Sequence, residues 1–448
     1  MRARLMDRTD GDEIDAVLTH PAHQQTLNTL IGLIRDLRAC RTPHDQYAFQ
    51  KQLRERVLEL EKRRGAISQQ VRRLHRHGKI SADAPELGTD RDRNAEASWV
   101  FEADVYERVW RQLKTVADAL AWKVFGYDRA IIIALSRAKA PGMMSGKTGL
   151  AKELETIETA WREEQKFVLH HDMTNVIRVG DLTIFDHDGY ALLREEKTNE
   201  KRRVPAQDQL LAATSHVLAD QTGALPSGHF PIRTTINHRT DLPGLRQLLD
   251  LAHTRTGIQG ARISTGRAVV AVSQFTAANH FTTADQFSAQ VGAELARVRR
   301  RIGADNPGHT LTLPSIDRAG HDLVCPPWAI YPISPETAAS LIADGMFFLV
   351  CMNPDTIIGA LAKTGVQARW LQQLDGTEDV AQPLLGVSTR IGNRLVSTSL
   401  NFEAIRSLML ELIDLRTWSQ QVAATLRTVL EPGMQPWPCF AHESKTWA

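Results

Sequence analysis

The chain reads as an α/β protein: a mixed central sheet flanked by helices, with a helical region before it and a further α/β region after it. Three observations carry this. Residues 46–76 and 95–125 repeat apolar side chains at helical spacing, through Leu53, Val57, Leu60 and Ile67 in the first stretch and Trp99, Val105, Val109, Trp110, Leu113, Val116 and Leu120 in the second. Between residues 149 and 273 a helical segment is followed by strand-like runs, another helix and a further strand. Beyond residue 276 helix and strand signals alternate with no internal repeat. The expected domains are a helical N-terminal region (1–145), an α/β core (146–275) and an α/β C-terminal region (276–448).

The elements follow in order. Residues 46–76 suit a long helical hairpin or a short coiled coil, weakened at Gly65. Residues 81–94 are polar and turn-rich, so a loop separates this stretch from the helix over 95–125. The longest apolar run, residues 130–135, suits a short buried element. A helix is expected over 149–165, then strands over 167–170, 176–179, 182–185 and 190–197. The next helix starts at Pro205, which fits a first helical turn because its missing N–H costs nothing there, and runs to about residue 220. Residues 222–266 look like an insertion with a helix near 245–251, and residues 268–273 are a strand. Farther on come a helix over 287–302, a buried strand over 346–351, and a hairpin of 385–389 with 394–399 around Gly392-Asn393. A single long amphipathic helix over 401–430 closes the pattern, with Asn401 as its cap.

Hydrophobic residues make up 42% of the 448 positions and charged residues 24%, as in an ordinary globular chain. The net charge of +2 favours no polyanionic partner globally, so any nucleic-acid footprint must be a local patch. Cys40, Cys325, Cys351 and Cys439 lie far apart without C-x-x-C spacing, which argues against a zinc ribbon or a disulfide scaffold and fits a reducing cytoplasm. The first fifteen residues lack the apolar stretch of a signal peptide, and no run approaches eighteen apolar residues. A cytoplasmic protein with no membrane partner is expected.

The informative segment runs from Gly180 to Thr198. Two apolar runs flank Asp186-His187-Asp188-Gly189, a strong hairpin signal. With a three-residue loop over 187–189, position i pairs with position 376 − i, and Asp181 falls opposite Glu195. Lys197, two residues on, shares their face. A two-residue turn at Asp188-Gly189 shifts the register by one and sets Glu196 there instead. Adjacent carboxylates in a sheet repel and favour a cation between them. Their hard oxygens, with no His or Cys ligand set nearby, suit Mg²⁺ or Mn²⁺ over Zn²⁺. Such an ion makes a bound water more acidic, and Lys197 is placed to orient that water or to stabilise charge on a phosphate.

Asp181-x13-Glu195-x-Lys197 on a strand hairpin after a helix resembles the PD-(D/E)XK nuclease superfamily, over roughly 125 residues. The resemblance implies a restriction-endonuclease-like core, with Asp181 and Glu195 on the metal and Lys197 assisting the water. It also implies a further metal ligand on the first core helix, where Gly149-Leu-Ala-Lys-Glu153 offers Glu153, and a supporting Gln on the next helix, where Gln209-Leu210-Leu211 offers Gln209. Glu-x-Lys alone is a weak signal, since it also occurs at Glu164 and Glu443. Only the middle copy has an Asp across a hairpin. The implied activity is hydrolysis of phosphodiester bonds, in DNA in preference to RNA, with Lys201, Arg202 and Arg203 as phosphate contacts. Double-strand cleavage would imply a homodimer. The alternative is a nuclease-like module that binds nucleic acid or protein without cutting.

Two other signals are discounted. Gly142-Met-Met-Ser-Gly146-Lys147-Thr148 is one residue short of a phosphate-binding loop, although it enters the Glu153 helix and so can sit near the site. His170-His171-Asp172 reads as an ordinary strand end, because adjacent strand residues face opposite ways and cannot both ligate one ion.

Overall fold

The computed structural model describes residues 16–82, 90–136, 142–186, 191–196, 209, 211–215, 218, 229–233, 239–304, 310–315, 325–371, 385–400, 402–428 and 435–439. The fold is mixed α/β, built from helices and small sheets, and it divides into two units. The first comprises residues 1–120 and 139–201, the second residues 121–138 and 202–448. This differs from the expected three regions: the sequence between 146 and 275 is shared between the units.

The first unit starts with helices α1 (Pro21–Ala39), α2 (Pro43–Ala82) and α3 (Asp90–Val124), the last belonging to it as far as Leu120. The stretch expected to form a hairpin or coiled coil is one 40-residue helix, and Gly65 does not interrupt it. Leu53 and Val57 of α2 and Val105, Val109, Trp110, Leu113 and Val116 of α3 are buried, as their spacing requires, whereas Trp99 is exposed. Helix α5 (Leu150–Glu164) and strands β1 (Val168–His170), β2 (Leu182–Phe185) and β3 (Ala191–Arg194) follow; α4 (Arg129–Leu135) is the expected short buried element and belongs to the second unit. The strands form an antiparallel sheet in the order β1-β2-β3. Ile157 and Ala160 of α5 pack on Val168 and Leu182, which fixes the helix against the sheet. Residues 176–179, expected to be a strand, form a loop. Buried Asp118 holds that loop by accepting the N–H groups of Asn175 (2.7 Å) and Val176 (3.1 Å).

The second unit contains β4 (His229–Arg233), α6 (Leu242–Leu251), β5 (Ile258–Ser264), β6 (Arg267–Ser273), α7 (Ala284–Arg301) and β7 (Leu311–Pro314). After these come α8 (Pro335–Ile342), β8 (Met346–Met352), α9 (Pro354–Ala362), β9 (Gln367–Trp370), β10 (Leu385–Ile391) and β11 (Arg394–Leu400). The chain continues through α10 (Phe402–Leu410), α11 (Leu415–Thr428) and β12 (Gln435–Cys439). Strand β6, expected in the same mixed sheet as the 180–197 hairpin, instead lies in an antiparallel sheet of order β5-β6-β8-β7. Every residue of β6 is buried, and Val298 and Ile302 cover the sheet. Strands β9, β10 and β11 form a second antiparallel sheet whose hairpin turns at Gly392 as expected, and β4 pairs in parallel with β12. The single helix expected over 401–430 is two helices. The chain breaks at Leu412, whose φ is +52°, and the Arg267 guanidinium bonds the freed carbonyls of Leu408 (3.1 Å) and Ile413 (2.8 Å). Asn401 lies outside the described residues. No helix among them is long and apolar enough to cross a membrane.

Candidate metal centre

Strands β2 and β3 pair Leu182 with Arg194, Thr183 with Leu193, Ile184 with Leu192 and Phe185 with Ala191. Each pair sums to 376, the register that sets Asp181 opposite Glu195. Gly180 makes the entry possible. Its φ is +72°, and a Cβ there would lie 3.1 Å from the Arg194 carbonyl oxygen, so only glycine fits comfortably. The Asp181 N–H then donates to the Arg194 carbonyl (2.9 Å), and its carboxylate accepts the Glu196 N–H (2.8 Å). The Glu196 side chain is tied to α5 instead, accepting from Thr156 Oγ1 (2.9 Å) and pairing with Lys152 Nζ (3.1 Å) and Arg194 Nε (2.6 Å).

The carboxylates do not gather as the sequence pattern suggests. Among the described residues, the group able to hold a metal ion is Glu153, His170 and Asp172, whose ligand atoms lie within 4.8 Å of one another. Glu153, from the first turn of α5, was an expected ligand. Half-buried Glu195 is not in the group, and Asp181 joins it only through Lys147. His170 and Asp172 were read as a plain strand end. The adjacent pair His170/His171 does diverge, the first ring meeting Glu153 and the second Gly180 and Thr183. Strand β1 ends at His170, however, and residues 171–173 form a tight 3-10 turn that brings Asp172 back beside it. The i, i+2 relation was the available signal.

His171 serves the backbone. Its Nδ1–H donates to the Gly180 carbonyl (3.0 Å), a pure acceptor, so Nε2 accepts from Thr183 Oγ1 (2.7 Å). Burial pushes its pKa down to about 4, so the ring is neutral and anchors the residue before Asp181.

Lys147 stands among the acids. Its Nζ is 3.5 Å from Glu153 Oε1 and 3.5 Å from Asp181 Oδ1, and it pairs directly with Asp172 Oδ2. Burial works against its charge, yet the Asp172 hydrogen bond and the three carboxylates outweigh that and raise its pKa. Glu153 and Asp172 are also penalised by burial, but a hydrogen bond from His170 to the first and from Lys147 to the second leaves both pKa values lowered. Asp181 is the exception: burial raises its pKa more than Lys147 and the Glu196 N–H lower it.

The Lys147 loop is itself held by buried groups that no local pattern singles out. Glu61 of α2 accepts the N–H groups of Met144 (3.1 Å) and Ser145 (2.6 Å) together with Trp110 Nε1 (3.0 Å). Lys114 of α3 donates to the Gly142 carbonyl (2.6 Å). Gln50 of α2 clamps the edge of β1, donating to the Val168 carbonyl (2.7 Å) and accepting the His170 N–H (3.0 Å). These partners lie 83, 118 and 28 residues from what they hold, beyond any local pattern.

The donor set fits a divalent cation. Three carboxylates meet one ammonium, an acidic excess in a half-buried site. The His170 Nε2 lies 2.9 Å from Glu153 Oε2, and its buried Nδ1 has no hydrogen-bond partner among the described residues. Of the other residues singled out, Gln209 is exposed on a helical segment of the second unit, and Lys197, Lys201, Arg202 and Arg203 lie outside the described residues. No family model, curated protein or solved structure matches the chain.

Proposed function

We propose that the first unit is a divalent-metal-dependent nuclease that hydrolyses phosphodiester bonds, with DNA as the preferred substrate. The observation that carries this reading is the cluster of Glu153 from α5 with His170 and Asp172 from the end of β1, which Lys147 links to Asp181 at the entry to β2. It takes α5 and the β1-β2-β3 sheet as a restriction-endonuclease-like core. Glu153, His170 and Asp172 are the ligands it favours, with Asp181 and Glu195 beside them. The imidazole nitrogen moves the preference within the Mg²⁺/Mn²⁺ pair toward Mn²⁺. A bound ion supplies Lewis acidity toward a phosphate oxygen and acidifies a coordinated water. Asp181, whose pKa burial raises, is the carboxylate best suited to take up a proton. Lys197 is assigned to the attacking water and Lys201 to the phosphate backbone.

The test is metal-dependent cutting of DNA by wild type and by Asp181→Ala, Lys197→Ala and His170→Ala. Losses on the order of a hundredfold are expected for each. Undiminished cutting by Asp181→Ala or Lys197→Ala would reject the assignment. One observation favours the competing reading of a nuclease-like fold that only binds: Lys147 already gives the acids a partner. Nucleic-acid binding without cutting in any divalent metal would select that reading.

A further inference from the structure

We propose that Lys147 is the resident counter-ion of the acidic cluster, an ammonium that a divalent metal must displace on entering. The inference rests on the metal-dependent reading above and deepens it by naming the residue that controls loading. Three carboxylates borne on α5, on the 3-10 turn after β1 and on the entry to β2 share one Nζ. No other lysine or arginine among the described residues bridges them. The position Lys147 occupies is the one that faces all three, so ammonium and metal compete for the same oxygens.

The neighbouring structure suits an exchangeable cation. The backbone leading to Lys147 is pinned at Gly142, Met144 and Ser145 by Lys114 and Glu61, so the loop need not move. The Lys147 side chain is 35% exposed, and its four-carbon stem can carry the ammonium out to water from that fixed base. Replacing a single charge by a double one beside several carboxylates is favourable, and the ammonium sets the concentration at which it happens. A purely structural staple would behave differently. Its removal would weaken the fold and leave metal affinity unchanged or reduced.

The test is calorimetric titration of the full chain with Mn²⁺ alone, without nucleic acid, for wild type, Lys147→Gln, Lys147→Arg and Lys166→Gln. Lys147→Gln is expected to bind Mn²⁺ about tenfold more tightly than wild type. Lys147→Arg, which keeps the charge, should stay close to wild type. Lys166→Gln makes the same change in net charge, but its ammonium pairs with Glu164 (2.5 Å) outside the cluster and should have no effect. Equal or weaker binding by Lys147→Gln, an equal gain in Lys166→Gln, or no Mn²⁺ binding by any form overturns the proposal.

A second readout needs no variant. Amine labelling of wild type, followed by peptide mass analysis, should modify Lys147 slowly in chelator and several-fold faster in saturating Mn²⁺. Unchanged labelling overturns the proposal even if Lys147→Gln fails to fold. Neither readout uses cutting. Displacement and tight binding in a chain that leaves DNA intact would end the nuclease reading alone. Cutting by a chain in which neither affinity nor labelling responds would end this one alone.

Discussion

In the second unit Arg129 pairs with Glu411, both almost completely buried, and Arg267 pairs with Asp241 at 2.8 Å while its Nη2 bonds two carbonyls. In each of these two pairs one guanidinium meets one carboxylate, and the pairs join segments distant in sequence. In the first unit three carboxylates share one lysine beside a histidine. Balanced pairs secure a chain break and a helix; the acidic excess is met by one ammonium and one imidazole. The difference sets charges that serve the fold against an excess that the proposed metal site would use, since folding alone gives no reason to retain an uncompensated carboxylate in a half-buried site.

The strongest test of this contrast is to break a balanced pair. Arg129→Met leaves Glu411 buried without its guanidinium and is expected to cost about 3–5 kcal/mol in denaturant unfolding. Arg129→Met with Glu411→Leu removes both charges and should return most of that loss. A single variant as stable as wild type would show that balance is not what holds this unit together.

Asp118 sharpens the comparison because it has neither arrangement. Its carboxylate is buried and bound by neutral N–H donors from Asn175 and Val176. Burial pushes its pKa up from 3.8 to about 6, although those bonds pull the other way. The folded state therefore holds the proton more tightly than the unfolded chain. The stability this gives is fully present below pH 3.8 and is lost as pH rises through about 6. Relative to Asp118→Asn, wild type should lose about 3 kcal/mol across that interval, measured by urea unfolding at a series of pH values. A flat difference would mean that the N–H donors and the nearby Arg178 balance the charge.

Legibility in the sequence followed the range of the interactions. The β2–β3 register was readable because the alternation and the Asp186–Gly189 turn are contiguous, and Glu153 was readable because it lies on a helix leading into those strands. His170 with Asp172 was missed because strand alternation was extended one residue past the end of β1, where the chain turns. Lys147 was noticed only as part of a failed phosphate loop; nothing local says that its ammonium meets Asp172 and Asp181. Glu61 and Gln50 act across 84 and 120 residues, and a buried polar residue on a long helix has no pattern that names its partner. The same limit applies to β6. Its apolar run identified a strand, but its pairing with β5 and β8 depends on contacts formed far along the chain.

The smallest effect is expected where the contrast is sharpest. Asp181 is part of the acidic excess, and burial with the neighbouring acids leaves its pKa raised despite Lys147 and the Glu196 N–H. Its contribution to stability is thus present at low pH and lost as the carboxyl ionises, so at neutral pH the charge works against folding in the metal-free chain. Asp181→Asn keeps an oxygen that can accept the Glu196 N–H while removing the charge. In chelator this variant should unfold within about 1 kcal/mol of wild type, on the side of greater stability. With Mn²⁺ the order should reverse, because wild type gains binding energy that the amide cannot supply in full. A large loss of stability in chelator would show that Asp181 belongs with Arg129 and Glu411, as a charge the fold depends on, and would remove the distinction between the two clusters.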